Sequence, residues 1–110
     1  MEYEVRVVSS AQADLESIVD WIADRSITGA AKWIASYNRM LTLLARHPLA
    51  HSYAPENDHV ENKIIRNAHF GTSQGRQFRA VYFVRDDIVT LTHLRGPHQQ
   101  SITEEDLKKL

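Results

Sequence analysis

Two stretches of helical periodicity stand back to back in the first half of the chain, and all but one of the β-rich segments lie in the second half. Ala11, Leu15, Ile18 and Ile22 recur at spacings of four, three and four, which places them along one stripe of an amphipathic helix. Ala30, Trp33, Ile34, Tyr37, Leu41 and Leu44 form a second stripe that ends before Pro48, whose ring cannot continue a helix. Ser9 and Ser10 offer N-cap hydroxyls to the first helix, which is predicted to run to about Arg25, and Thr28-Gly29 reads as the break before the second. With so few residues between them, the two helices are predicted to fold back as an antiparallel hairpin.

The hairpin needs a sheet to cover it, and the rest of the chain supplies one. From Glu2 to Val8 apolar Tyr3, Val5 and Val7 alternate with Glu2, Glu4 and Arg6, the period-two pattern of a half-buried strand. Lys63–His69, Phe78–Val84 and Ile88–Leu94 read as three further strands, separated by the turn-like stretch Phe70–Gly75 and by Asp86-Asp87. His47 to Glu61, with two prolines and three histidines and no periodicity, reads as a surface loop. Gly96-Pro97 stops the last strand, and Thr103-Glu104-Glu105-Asp106 has the hydroxyl and acidic first turn of a short terminal helix. The expected fold is α+β, a single domain over residues 1–110 in the order β-α-α-β-β-β(-α). The helical hairpin packs on one face of a mostly antiparallel four-stranded sheet.

Composition narrows the function classes. At 43% hydrophobic and 25% charged residues the chain has the make-up of an ordinary globular domain, and no apolar run approaches the roughly 18–20 residues that cross a bilayer. Met1-Glu2-Tyr3-Glu4 is acidic and alternating, unlike a secretory signal, so a cytoplasmic location is expected. The absence of cysteine removes disulfides and thiolate chemistry. A net charge of −1 counts against a surface that binds nucleic acid all over. Its distribution is uneven: residues 1–25 hold six acids against two bases, and residues 60–99 hold six bases (Lys63, Arg66, Arg76, Arg79, Arg85 and Arg95) against three acids. The result is either an acidic and a basic face or an ordinary solvated surface.

The element order, together with Ala13–Ile18 and Trp21-Ile22-Ala23 in the first helix, Ala54-Pro55-Glu56, Ile65-Arg66, Phe78–Val84 and Asp87–Arg95, resembles the RelE/ParE superfamily of toxins from type II toxin–antitoxin (plasmid stabilisation) modules. The helical part looks more like the ParE branch than RelE, whose first helices are more basic. The resemblance implies a cognate antitoxin as partner, in a toxin–antitoxin hetero-oligomer, and one of two targets. ParE-like members inhibit growth by poisoning DNA gyrase; RelE-like members cleave messenger RNA in the ribosomal A site without a metal. A third alternative is a non-toxic relative that keeps only antitoxin binding. No cofactor or membrane partner is expected.

Metal-free RNA cleavage needs a proton acceptor, a proton donor and fixed cations around the phosphorane-like transition state. Arg66, Arg76, Arg79, Arg95 and His98 are the candidates for binding a target or a phosphate, because guanidinium groups stay charged and bind phosphate oxygens in pairs. If the chain is a ribonuclease, His93, Arg79 and Arg66 are the candidate catalytic set, with His93 or His98 moving protons. In that case His93→Ala or Arg79→Ala is expected to abolish cleavage and leave the fold intact. The alternative is that the arginines decorate a polar sheet face or pair with Glu56 or Glu61, and that His93 is a structural histidine. A two-residue loop at Asp86-Asp87 pairs Phe78 with Arg95 and Ala80 with His93 and sends His93 and Arg95 to the face opposite Arg79; an odd-numbered loop or a bulge returns them to one face. No tyrosine follows Tyr82, a departure from the RNA-cleaving relatives. His47 and His51 straddle Pro48, which spoils a shared helical face, so no metal site is expected. Trp21, Trp33 and Tyr37 fall on or beside the apolar stripes and read as core.

Overall fold

The computed structural model describes residues 2–59, 63–72, 75–97, 102–103 and 106. The fold is α+β. Strand β1 (Glu4–Val7) leads into helices α1 (Ser9–Ala23) and α2 (Ile27–Arg46), and strands β2 (Arg66–Phe70), β3 (Phe78–Arg85) and β4 (Ile88–Arg95) follow. The four strands form one sheet in the order β1-β4-β3-β2. Both β2–β3 and β3–β4 are antiparallel, and β1 joins β4 in parallel, so the sheet is mixed. This arrangement is not confined to one family. No helix among the described residues is long and apolar enough to cross a membrane.

The predicted helices are both present, with shifted starts. Ser9 is already helical, Val8 holds the N-cap position without a side-chain bond, and the Ser10 hydroxyl donates to the Thr92 carbonyl at 2.7 Å. Neither serine caps α1. Thr28-Gly29 does not break the chain either: Ser26 is the N-cap of α2, and its hydroxyl accepts the Gly29 N–H at 2.9 Å, which satisfies one of the free amides of the first turn. The strand expected from Lys63 begins only at Arg66. Thr103 Oγ1 accepts the Asp106 N–H at 3.1 Å, as an N-cap does; the remainder of the expected terminal helix lies outside the described residues.

The main core fills the space between hairpin and sheet. Ala68 and Ala80 lie opposite each other across β2 and β3, and these small side chains share a buried cluster with Trp33, Tyr37 and Phe70. The Trp33 ring lies 5.3 Å from Phe70, 5.4 Å from Phe78 and 5.9 Å from Tyr37 between centroids, spacings at which tilted and offset rings attract. A second, smaller core of Ala54, Ile65, Val81 and Ile102 sits on the other sheet face, since Val81 points opposite to Ala80 and Tyr82.

The loop after α2 is packed against the sheet. Pro48, Ala54 and Glu56 are buried, the Tyr82 hydroxyl donates to the Pro48 carbonyl at 2.5 Å, and Tyr53 bridges to Arg66. Asn67 N–H donates to Ser52 O at 3.1 Å and Ala54 N–H to Ile65 O at 2.7 Å. The loop thus covers part of the β2 edge that would otherwise present unpaired backbone groups.

Candidate functional site

Strands β3 and β4 decide where the candidate residues point. The two-residue loop is present: Arg85 pairs with Ile88 across Asp86-Asp87, and Asp86 takes a φ of 56°. Tyr82 still pairs with Leu91 in that register, yet Val81 pairs with His93 and Arg79 with Arg95. The extra residue is Thr92, which makes a β-bulge. Its hydroxyl donates to the Val81 carbonyl at 3.1 Å. The bulge therefore brings Arg79, His93 and Arg95 to one face of the sheet, the face away from the helices.

Sharing a face does not leave these groups free. Arg79 makes a forked pair with Glu56, 2.8 Å from Nη1 to Oε1 and 2.5 Å from Nη2 to Oε2. Glu56 also accepts the Ile102 N–H at 3.1 Å, so the carboxylate ties the loop, β3 and the C-terminal segment together. Burial pushes the Glu56 carboxyl up, but its bonds to Arg79 and the Ile102 amide outweigh this and hold it below the usual carboxylate range. Arg95 turns to helix α1, where its Nη1 lies 3.0 Å from Asp14 Oδ2. Arg66, on the helical side of β2, donates to the His51 carbonyl at 2.6 Å and stacks 4.9 Å from the Tyr53 ring.

His93 is buried, with Nδ1 3.1 Å from Thr92 Oγ1. The single hydroxyl proton of Thr92 is directed at Val81, so Nδ1 is the donor in this contact and Nε2 carries the free lone pair. Burial first, and then Arg95, lower the imidazole pKa against the opposing pull of Asp14, Asp106 and Glu56. A neutral His93 can accept a proton at neutral pH. It is poorly suited to donate one.

Among the described residues Arg76 stands apart from the other candidate arginines, since its exposed side chain makes no hydrogen bond or ion pair. It lines a cleft of about 400 Å³ between α1 and the ends of β3 and β4, together with Ser17, Ile18, Trp21, Phe78 and Pro97. Trp21, expected in the core, is 51% exposed. The reason is angular: at 100° per residue it falls 60° from Ile18 and outside the inner stripe. The Arg25 guanidinium lies 3.9 Å from its ring centroid and donates to the Trp21 carbonyl at 2.8 Å.

No protein-family model matches the chain, and no curated protein matches it.

His98 lies outside the described residues. The structure brings Arg79, His93 and Arg95 to one face, keeps Arg66 on the other, and leaves Arg76 at the cleft. Glu56 and Asp14, which hold two of the arginines, are the polar residues that matter most here. The sequence marks Glu56 as a candidate arginine partner but carries no signal for the role of Asp14. On the hairpin, a second groove of about 450 Å³ is lined by Leu15, Val19, Ile34 and Tyr37, with the acidic Glu16 and Asp20 beside them.

Proposed function

We propose that this chain is the toxin subunit of a type II toxin–antitoxin module and acts in the cytoplasm in the ParE manner. It arrests growth by binding a large target such as DNA gyrase and is neutralised by a cognate antitoxin. The observation that carries the choice of mode is the internal commitment of the arginines: Arg79 to Glu56, Arg95 to Asp14 and Arg66 to the His51 carbonyl. Cations that stabilise a developing phosphorane must be free to meet it, and releasing Arg79 would strand the buried carboxylate of Glu56. The helical hairpin has no such obligation. Its groove and the exposed Ile34 offer apolar area of the kind that large protein partners cover.

One observation favours the RelE-like alternative of metal-free messenger RNA cleavage, namely the bulge that gathers Arg79, His93 and Arg95. The test is to induce the chain without an antitoxin in a bacterial host and to map new RNA 5′ ends before growth stops. Growth arrest with intact messages is expected. Fresh ends at a fixed place within translated codons would overturn the binding mode in favour of cleavage. Unchanged growth with soluble, folded protein would overturn toxicity and leave a relative that only binds an antitoxin.

A further inference from the structure

We infer that the cleft between α1 and the ends of β3 and β4 is a docking site for a short protein segment in which an acidic residue neighbours a large apolar one. Three observations converge there. Ile18, Phe78 and Pro97 give apolar walls to a cleft of about 400 Å³, the lower part of the size range in which sites for small ligands and single side chains fall. Trp21, a half-exposed aromatic on the same cleft, is the residue type most often found to anchor a binding partner. Arg76 supplies one cation without an internal partner among the described residues.

The backbone at Arg76 lies against the end of β2. Gly71 has a φ of 156°, and a Cβ there would come within 2.7 Å of the Arg76 carbonyl oxygen. Only glycine allows the chain leaving β2 to pass so close to the chain entering β3.

Charge complementarity selects the occupant. A carboxylate matches one guanidinium and can form two parallel hydrogen bonds with it. A nucleic-acid strand asks for a row of cations, and Arg76 is the one basic side chain among the described residues that line the cleft. Asp24, the C-cap of α1 three residues after Trp21, adds an acidic charge that disfavours a polyanion more than a single carboxylate placed at Arg76. The proposal concerns the cleft alone and is independent of whether the chain arrests growth.

The test follows the indole N–H resonances of the 15N-labelled chain, assigned with Trp21→Phe. The protein is titrated with an equimolar pool of N-acetylated tetrapeptides that alternate Asp with Phe, Leu or Trp. A matched pool with Asn in place of Asp serves as the uncharged control. The acidic pool should shift the Trp21 resonance and leave Trp33 unmoved. It should bind about tenfold more tightly than the control pool, and Arg76→Gln should remove that difference. Equal affinity for both pools, no shift at millimolar peptide, or shifts confined to the hairpin groove would each overturn the proposal. Tighter binding of an oligouridylate than of the acidic pool at the Trp21 resonance would also overturn it, in favour of a nucleic-acid site.

Discussion

Arg79 and Glu56 hold each other through two parallel hydrogen bonds on the sheet face away from the helices, with the glutamate side chain 1% exposed and the arginine 17%. A pair this deep is maintained because neither partner can be removed alone without leaving a charge in a low-dielectric site. Arg79→Ala should therefore cost about 3–5 kcal/mol of stability, measured by urea unfolding. Glu56→Gln should cost less, since its amide oxygen can still accept the Ile102 N–H. A loss below about 1 kcal/mol in Arg79→Ala would show that the pair behaves like an exposed one. The same measurement changes how activity is read. The expectation that Arg79→Ala abolishes function and keeps the fold is not supported by this environment, and any lost activity has to be corrected for unfolding.

Acid should lower the stability of the fold in two stages. His93 and His51 are both held below the ordinary imidazole value, His93 by burial and Arg95, His51 by burial, His69 and Arg66. In the unfolded chain these groups take up protons as pH falls past about 6.5, before the folded state does. Stability is thus full above that pH, declines below it, and levels off once the folded histidines are also protonated. Glu56, held below its ordinary value, adds a second decline. Its contribution is present above about pH 4.3 and is lost as pH falls through the folded pKa. Unfolding free energies between about pH 8 and 3 should show both, and His93→Gln should flatten the first. A flat profile between about pH 7.5 and 5.5 would overturn this account.

The helices and strands are legible because their periodicities are strong: the stripe from Ala30 to Leu44 sits on the sheet through Trp33, Tyr37 and Leu44, while Met40 joins it and Ile34 stays exposed. The starts of both helices were misplaced because Ser and Gly signals are ambiguous within a turn. Ser26 and Ser10 differ only in what lies nearby, an open amide at Gly29 or a carbonyl on β4. The loop from His47 lacks a period and so reads from sequence as a surface element. What buries it is non-local: the Tyr82 hydroxyl, the Arg66 guanidinium and the Arg79 pair. The hairpin register was legible as far as Tyr82. The bulge at Thr92 is not legible, because a single extra residue leaves no mark on an apolar strand.

Tyr82 holds the loop to the sheet. Its phenol is fully buried, donates to the Pro48 carbonyl, and burial pushes its pKa up to about 12. Tyr82→Phe keeps the ring and leaves that carbonyl without its donor, which should cost about 1–2 kcal/mol. Amide exchange should quicken at Ala54 and Asn67, whose N–H groups bond across the loop and β2. In a spectrophotometric titration of the native protein, the phenol that ionises at about pH 12 should vanish in the variant. Unchanged exchange at both amides would mean that the loop is held by its apolar contacts instead.

Asp14 does for β4 what a neighbouring strand would do. The parallel partner β1 pairs with β4 only as far as Leu91. Beyond that point α1 covers the open edge: Ser10 donates to Thr92 O, and Asp14 Oδ2 accepts the Leu94 N–H at 2.9 Å and Arg95 Nη1 at 3.0 Å. Asp14→Ala should cost about 1.5–3 kcal/mol, the range for a charged acceptor serving a partly buried amide. Asp14→Asn should cost less, because its oxygen still meets Leu94. The asparagine variant also separates the two modes of action, since it removes the negative charge that offsets the Arg95 guanidinium without emptying the edge. A toxin that works by binding through the hairpin should arrest growth as the parent does. Stronger arrest accompanied by fresh RNA ends would mean that an Arg95 no longer offset by Asp14 meets phosphate, and the site would then belong to the sheet.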